Sequence, residues 1–231
     1  MSYVFEPEAQ VAVPVVGSDA LFPVRRIYCV GRNYAAHARE MGADERDPPF
    51  LFCKPDNTIV VCPPGRTVEI PYPGHTSDYQ HEIELVAAIG KGGRDIPVAR
   101  ANEHVFGYAV GLDMTRRDLQ SQMKKQGRPW EVGKAFDQSA PIGPIHPASS
   151  IDHPKQAALW VQVDGQDRQR SDIDLLIWSV PETIAQLSTL FELQPGDLIY
   201  TGTPEGVNAV TRGQTMRGGI DGLGEICVKV V

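Results

Sequence analysis

The sequence predicts an α+β fold that is mostly β-sheet, with many short strands and few helices. Of the 231 residues, 22 are Gly and 19 are Pro, a high share of residues that turn or interrupt the chain. Short β-prone runs recur between them, whereas only one stretch shows a strong helical period. Because chains of this length are often one domain, we expect a single domain over residues 1–231, with residues 1–25 as an N-terminal arm.

The first half of the chain is predicted to hold five strands. Each is a short run of β-branched, aromatic or other apolar residues that stops at Gly, Pro or a charged residue. They cover residues 27–30, 50–53, 58–62, 82–89 and 105–112. After the first strand, Asn33 is a predicted cap for a short helix over residues 34–41, which Gly42 would end.

The second half combines helices with further strands. Residues 114–127 favour a highly polar helix, and residues 180–193 favour a helix with Ile184, Leu187 and Phe191 on one stripe. The remaining predicted elements are a strand that turns at Asp164-Gly165, a strand that runs into a Gly/Pro turn within residues 195–207, and a last strand over residues 224–230.

Charge and cysteine usage exclude several classes of function. The net charge of −7 and the lack of a basic run argue against binding to nucleic acid or an anionic membrane. The cysteines show no C-x-x-C spacing, and the first residues lack the pattern of a signal peptide. No apolar run approaches the length of a membrane span. We therefore expect a cytoplasmic protein, in which an anionic substrate needs a local cation.

Two glutamates stand at the entrance of the strand predicted over residues 82–89. Glu82 and Glu84 share one face because side chains two apart in a strand point the same way. On its own, such a pair more often lies on a solvated edge. If the pair is buried, its like charges need a proton or a divalent cation, and carboxylate oxygens suit Mg²⁺, Mn²⁺ or Ca²⁺.

A third carboxylate would complete such a metal site. Asp113 directly follows the apolar run of residues 105–112, so it lies at a strand end. An aspartate there is also a common turn or helix-cap residue, and a polar helix is predicted after it. Spacing alone leaves both interpretations open.

Other candidate site residues lie before and after these carboxylates. His37 and Glu40 are three apart on a predicted helix, where the carboxylate would orient the imidazole as a general base. A surface His–Glu pair is the plain alternative. The remaining candidates, each of which alone could be an ordinary surface residue, are Arg117, Gln120, Lys134, Arg32 and Lys54.

Taken together, these pieces resemble the fumarylacetoacetate hydrolase superfamily, in its short single-domain branch. The similar stretches follow one order from about residue 26 to the C-terminus. They read YCVGRNYAAHAREMG, FCKP, DYQHEIELVAAIG, GYAVGLDMTRRDLQ, PWEVGKAFDQSAPIGP and DLIYTGTPEGV. The resemblance implies a mixed β-roll with few helices, and a homodimer.

The resemblance also assigns roles to residues. It implies a metal site at Glu82, Glu84 and Asp113, with Mg²⁺ or Mn²⁺ expected and Ca²⁺ as a further candidate. The implied catalytic residues are His37, Glu40, Lys134 and Gln120. The implied substrate-facing residues include Arg117 and Thr203. Arg32 and Lys54 are added as candidate substrate ligands because they lie near the His–Glu pair in sequence.

The implied reaction is hydrolysis of a carbon–carbon bond in a small anionic 2,4-dioxo acid. RRIYCVGRNYAAHAREMG and QRSDIDLLIWSVPETI are most like the branch that converts fumarylpyruvate to fumarate and pyruvate. Acylpyruvate hydrolysis, oxaloacetate decarboxylation and isomerisation of a 2-oxo-diene diacid are alternatives at the same site. A non-catalytic metal protein and a cysteine or serine nucleophile enzyme fit less well, since the chain keeps the His–Glu pair and lacks G-x-S-x-G.

Overall fold

The computed structural model describes residues 3–35 and 48–231. The strands are β1 (Ala12–Pro14), β2 (Leu21–Pro23), β3 (Arg26–Val30), β4 (Leu51–Lys54), β5 (Ile59–Val61), β6 (Thr67–Ile70), β7 (Tyr79–Gln80), β8 (Ile83–Ile89), β9 (Val105–Leu112), β10 (Thr115–Arg116), β11 (Ala140–Ile142), β12 (His146–Pro147), β13 (Ala158–Val163), β14 (Gln166–Asp172), β15 (Asp197–Tyr200), β16 (Thr215–Ile220) and β17 (Gly224–Val230). The α-helices are α1 (Arg117–Lys125), α2 (Glu131–Lys134), α3 (Ala148–Ile151) and α4 (Val180–Leu190), and Asp56–Thr58, Val98–His104 and Ile173–Leu175 are 3₁₀ turns. The predicted mostly-β class is confirmed.

The larger sheet carries the strands that flank the candidate carboxylates. Its order is β4-β3-β15-β8-β9-β11-β5, and β12 pairs with β9 at one side. The central strands β8 and β9 run antiparallel, with Ile83 opposite Leu112. Every residue of β8 is buried, which explains why its sequence after Glu84 is apolar on both faces.

A second sheet, in the order β14-β13-β16-β17-β6, covers one face of the larger sheet. Ile83, Leu85 and Ala87 belong to the core cluster shared with this second sheet. Val86 and Ala88 belong to the other cluster, together with Val13 and Phe22 of the β1–β2 hairpin. Glu84 lies two residues before Val86, so its side chain points to the same face as Val86 and Ala88. The predicted division of β8 into two faces is therefore confirmed.

Some predicted element ends differ from the structure. The polar helix expected from residue 114 begins at Arg117, because Thr115 and Arg116 pair instead with Gln80 and Tyr79. The helix expected to residue 193 ends at Leu190, since Phe191 is already extended. Of the helix predicted over residues 34–41, residues 36–41 lie outside the described part of the chain.

Asn33, which directly precedes the helix predicted over residues 34–41, is fully buried and fixes the position of the chain there. Asn33 was expected to cap the helix, but its Oδ1 accepts a hydrogen bond from Trp178 N at 2.7 Å. Its Nδ2 donates to Trp178 O at 2.9 Å and to Thr201 O at 2.7 Å. The side chain therefore joins the chain after β3 to two loops, one of which directly follows β15.

Among the described residues, no helix combines the length and apolar character needed to cross a bilayer.

Asn33→Ala should destabilise the fold by about 2–3 kcal/mol, because Trp178 N, Trp178 O and Thr201 O each lose a hydrogen bond to the buried Asn33 side chain. Urea unfolding followed by circular dichroism measures this difference. Asn57→Ala is the matched control, since Asn57 is exposed in the turn before β5. Equal stability of the two variants would contradict the structural role of Asn33.

Candidate active site

Three carboxylates converge at the start of β8. Glu82 directly precedes β8, Glu84 is its second residue, and Asp113 directly follows β9. Because β8 and β9 are antiparallel, the start of one strand lies beside the end of the other. One oxygen from each side chain lies within 4.8 Å of the others, and all three residues are buried. The convergence expected of a metal site is therefore present.

Burial makes it unfavourable for all three carboxylates to be ionised at once. Burial raises the pKa of Glu84 well above its usual range, and the charges of Asp113 and Glu82 raise it further. A divalent cation would favour the ionised form of all three groups. Around an ion with bonds of roughly 2.1 Å, octahedral oxygens lie roughly 3–4 Å apart. Three carboxylate oxygens within 4.8 Å of one another form the all-oxygen donor set that suits Mg²⁺ or Mn²⁺.

Lys134 is a buried cation that contacts two of the three carboxylates. Its Nζ lies 2.8 Å from Glu82 Oε2 and 2.7 Å from Asp113 Oδ2, and it also donates to Thr115 Oγ1 at 2.7 Å. Burial opposes the charge of Lys134, but Asp113 and Glu82 outweigh that cost and raise its pKa. The side chain is therefore a protonated donor next to the carboxylate cluster.

Lys54 supports Asp113 from within the protein. Its buried Nζ lies 2.9 Å from Asp113 Oδ1 and donates to Ser139 O at 3.0 Å and to Met114 O at 3.2 Å. It also donates to the main-chain carbonyl of Lys134. These contacts orient a proposed metal ligand. The expected role of Lys54 as a substrate ligand stays a prediction.

The loop after β15 holds Glu84. Gly202 N donates to Glu84 Oε2 at 2.8 Å, and Thr201 is tied to β8 by a hydrogen bond from its Oγ1 to Leu85 O at 2.9 Å. Gly202 has a φ of +100°, and a Cβ there would lie 2.7 Å from Asn33 Cβ. Only glycine meets both conditions readily. Gly202, the first glycine of the TGTPEG stretch, is thus required for the contact with Glu84.

Helix α1 begins beside the carboxylates and brings Arg117 and Gln120 together. Arg117 pairs with Glu82 and donates to Gln80 Oε1 at 2.7 Å and to Gln120 Oε1 at 2.6 Å. Arg117 and Gln120 line a cavity of about 410 Å³, together with Ser121, Lys124 and Lys125. The two residues are three apart on α1 and lie on one face of the helix. Their roles toward a substrate stay predictions.

Thr203 belongs to a buried polar chain on the other side of Glu82. Its Oγ1 donates to Ile83 O and accepts from Gln169 Nε2, both at 2.8 Å. Gln169 Oε1 in turn lies 2.9 Å from His81 Nδ1, and burial lowers the pKa of His81. Neutral His81 therefore donates to Gln169. The substrate-facing role expected of Thr203 stays a prediction.

The sequence analysis missed Gln169, Thr115 and Gly202 as site residues. Gln169 is the one buried position of β14, a strand whose other residues are polar and more exposed. Because apolar residues do not alternate along β14, the sequence pattern does not mark Gln169 as buried. Thr115 does carry a signal, because it is two residues after Asp113 and a hydroxyl there can reach the same cluster.

Arg32 lines a second cavity, of about 500 Å³. Its guanidinium carbon is 6.0 Å from the centre of the Phe50 ring. Its role as a substrate ligand stays a prediction. His37 and Glu40 lie outside the described residues, so the general-base assignment also stays a prediction.

The buried thiols do not favour a cysteine nucleophile. Cys29 and Cys62 are fully buried, and burial raises the pKa of Cys29 well above its usual range and that of Cys62 to about 12. A reactive cysteine needs a lowered pKa and access to its substrate.

Comparisons with known proteins agree with the carboxylate site. Residues 26–231 match the family described as Fumarylacetoacetate (FAA) hydrolase C-terminal. The chain is similar to the crystal structure of fumarylpyruvate hydrolase from Pseudomonas aeruginosa in complex with Mn²⁺ and pyruvate, at 66% identity and a TM-score of 0.98, covering 100% of this chain and 99% of that one. The similarity includes the whole described fold, so the expected β-roll type is confirmed.

Two curated relatives extend the comparison. A fumarylpyruvate hydrolase from Ralstonia sp is 49% identical over 155 residues, which is 67% of this chain and 80% of the relative. A mitochondrial oxaloacetate decarboxylase from Dictyostelium discoideum is 43% identical over 199 residues, which is 86% of this chain and 90% of the relative. Relatives named for two different activities thus align with most of this sequence.

Mn²⁺ at 100 times its dissociation constant should stabilise the chain by about 2.7 kcal/mol, or raise its Tm by about 5–10 °C. Glu84→Gln should lose most of that shift, because it removes a charged ligand from the buried set. Differential scanning fluorimetry with and without Mn²⁺ measures the effect. Glu69→Gln, which neutralises an exposed carboxylate on β6, should keep the full shift. A full shift in Glu84→Gln would remove Glu84 from the metal site.

Proposed function

Because the chain belongs to the fumarylacetoacetate hydrolase family, we propose that it hydrolyses a carbon–carbon bond in fumarylpyruvate, giving fumarate and pyruvate, in a metal-dependent reaction. The observation that carries this proposal is the buried convergence of Glu82, Glu84 and Asp113 beside protonated Lys134. Support comes from the 66% identical fumarylpyruvate hydrolase, whose structure contains Mn²⁺ and pyruvate.

The three carboxylates would hold the cation, with Mn²⁺ or Mg²⁺ as the preferred ion and Ca²⁺ as a further candidate. When bound, the ion supplies Lewis acidity toward the 2-oxo acid end of the substrate. The net charge of −7 otherwise disfavours an anionic substrate, so this local positive charge is also needed for binding.

We assign the proton chemistry to His37 and Glu40. His37, oriented by Glu40, takes a proton from water, and the resulting hydroxide adds to the carbonyl carbon of the fumaryl group. Cleavage of the adjacent carbon–carbon bond then releases fumarate. The electron pair of that bond passes to the other fragment, which leaves as an enolate and takes up a proton to become pyruvate.

Lys134 and Gln120 are placed to stabilise negative charge during this step. Lys134 is a buried ammonium with fixed partners, so it needs little reorganisation when charge develops nearby. Gln120 is buried and has its side-chain oxygen engaged by Arg117, which leaves its amide nitrogen as the donor. Donors of this kind contribute about 2.7–4 kcal/mol each where one has been removed. Arg117 would hold a substrate oxygen, and Thr203 would contact the substrate through its hydroxyl.

Oxaloacetate decarboxylation is the second candidate function. The Dictyostelium discoideum oxaloacetate decarboxylase is 43% identical over most of this chain. Oxaloacetate has the same 2-oxo acid end as fumarylpyruvate, and its reaction also places negative charge on a pyruvate fragment. Acylpyruvate hydrolysis and isomerisation of a 2-oxo-diene diacid need the same site chemistry.

Three further features are proposed from the family resemblance and the composition. We propose that residues 1–231 act as one catalytic domain, that the chain forms a homodimer, and that it works in the cytoplasm. The four cysteines are unpaired, which agrees with a reducing compartment.

Purified protein should hydrolyse fumarylpyruvate with a higher kcat/KM than acetylpyruvate or oxaloacetate. EDTA should abolish turnover, and Mn²⁺ or Mg²⁺ should restore it, because the carboxylates alone cannot polarise the substrate. Absorbance assays with each substrate make this comparison. Full activity in the metal-free protein would contradict the mechanism, and faster turnover of oxaloacetate would favour the second candidate.

His37→Ala should lower kcat for fumarylpyruvate by roughly 10²–10⁴-fold, the usual contribution of a general base. Its thermal shift with Mn²⁺ should remain, because the carboxylate ligands are unchanged. His75→Asn is the control, since His75 is an exposed imidazole with a left-handed backbone that asparagine tolerates. A near-normal kcat in His37→Ala would refute the general-base assignment.

A further inference from the structure

We propose that the cavity lined by Phe50, Phe52 and Trp130 binds the distal carboxylate of the substrate, and that Arg128 determines specificity for it. The inference rests on the proposed function, because it concerns the acyl end of the same substrate. No site residue considered so far accounts for a second carboxylate. The cavity has a volume of about 500 Å³.

Aromatic rings form the walls of this cavity. The Phe50 and Phe52 rings lie 4.6 Å and 5.9 Å from the Trp130 ring, measured between centroids. A fumaryl group is flat and conjugated, so its faces suit contact with aromatic rings. An acid with a branched or bulky acyl end would fit these walls less well.

The rim of the cavity is cationic. Among the described residues that line it, three are cations and one is a carboxylate: Arg32, Lys124, Arg128 and Glu131. Within the described ranges, neither Arg128 nor Lys124 has an ion-pair partner. In a chain with a net charge of −7, an excess of positive charge around an aromatic cavity indicates an anionic ligand.

Local sequence fixes the position of Arg128. Helix α1 ends in a Schellman motif, in which Gly127 N donates to Lys124 O at 3.2 Å and Arg128 N donates to Met123 O at 3.0 Å. Gly127 adopts the positive φ, +62°, that the motif needs, and Pro129 prevents the helix from continuing. The KQGRPW stretch thus places Arg128 between the end of α1 and the buried ring of Trp130.

The cavity adjoins the carboxylate site. The Phe52 ring, which lines the cavity, lies 5.1 Å from Lys134 Nζ. Lys124 lines both this cavity and the one that contains Arg117 and Gln120. A substrate whose reacting carbonyl lies near Lys134 can therefore extend its acyl chain past Phe52. Its terminal carboxylate would then reach Arg128, whose planar guanidinium can donate two parallel hydrogen bonds.

The first test compares two substrates that differ at the acyl end. Arg128→Gln should lower kcat/KM for fumarylpyruvate roughly tenfold, the usual effect of losing a hydrogen bond to a charged group. The kcat/KM for acetylpyruvate, which has no distal carboxylate, should stay unchanged. Arg66→Gln is the control for net charge, since Arg66 is exposed in the turn before β6 and lies outside both cavities. Equal losses for both substrates, or no loss for either, would overturn the proposal.

A binding test separates this inference from the proposed reaction. Calorimetry on the Mn²⁺-loaded protein should show tighter binding of fumarate than of crotonate, which has a methyl group in place of one carboxylate. Arg128→Gln should remove that preference. If wild type does not hydrolyse fumarylpyruvate but prefers fumarate through Arg128, the proposed function fails and the subsite stands. If fumarylpyruvate is hydrolysed and Arg128→Gln binds both acids as wild type does, the subsite fails alone.

Discussion

The structure around the site depends on keeping three carboxylates together in a buried place. Separately, each of Glu82, Glu84 and Asp113 would be costly to bury as an anion, and together they repel one another. Lys134 offsets part of this cost by contacting Glu82 and Asp113, and Lys54 contacts Asp113 from the protein side. Removing one partner of a buried ion pair typically costs about 3–5 kcal/mol. The two lysines are therefore part of the fold as well as of the chemistry.

The same requirement explains several features of the surrounding backbone. The register between β8 and β9 brings Asp113 beside Glu82, and the loop after β15 supplies the Gly202 N–H to Glu84. Asn33 packs against Gly202 and fixes the chain just before the segment that carries His37. The strands, the loop and the proposed general base are thus connected through one buried asparagine. Small errors in any of these contacts would separate the carboxylates from the residues that act with them.

Sequence patterns predicted the parts of the site that depend on local geometry. The period of a strand places Glu82 and Glu84 on one face, and the end of an apolar run locates Asp113. Such patterns cannot show that Lys134 reaches Glu82 across 52 residues, or that Lys54 is enclosed against Asp113. Those contacts depend on how separate elements pack, and the catalytic role of Lys134 was suggested by the family resemblance rather than by spacing.

The ends of helices show the same limit of sequence patterns. The helix expected from residue 114 starts at Arg117 because its first residues pair with β7, a strand of two residues that has no sequence signature. Asn33 has the composition of a helix cap, but tertiary contacts use its side chain elsewhere. Local propensity identifies residues able to make such hydrogen bonds, and the fold decides which partners they receive.

The two ends of the proposed site differ in burial and in how strongly their residues depend on one another, and this difference affects substrate specificity. The carboxylates and their lysines are buried and mutually dependent, so a change in one disturbs the others. They would handle the 2-oxo acid end, which fumarylpyruvate and oxaloacetate share. The aromatic cavity instead has an exposed rim, which includes Arg128. The Schellman motif at the end of α1 holds Arg128 there, and Arg128 makes no contact with the three carboxylates. A substitution at that rim would change which acyl end is accepted at little cost to folding. Such a division of the site agrees with the two different activities that the names of the similar relatives give.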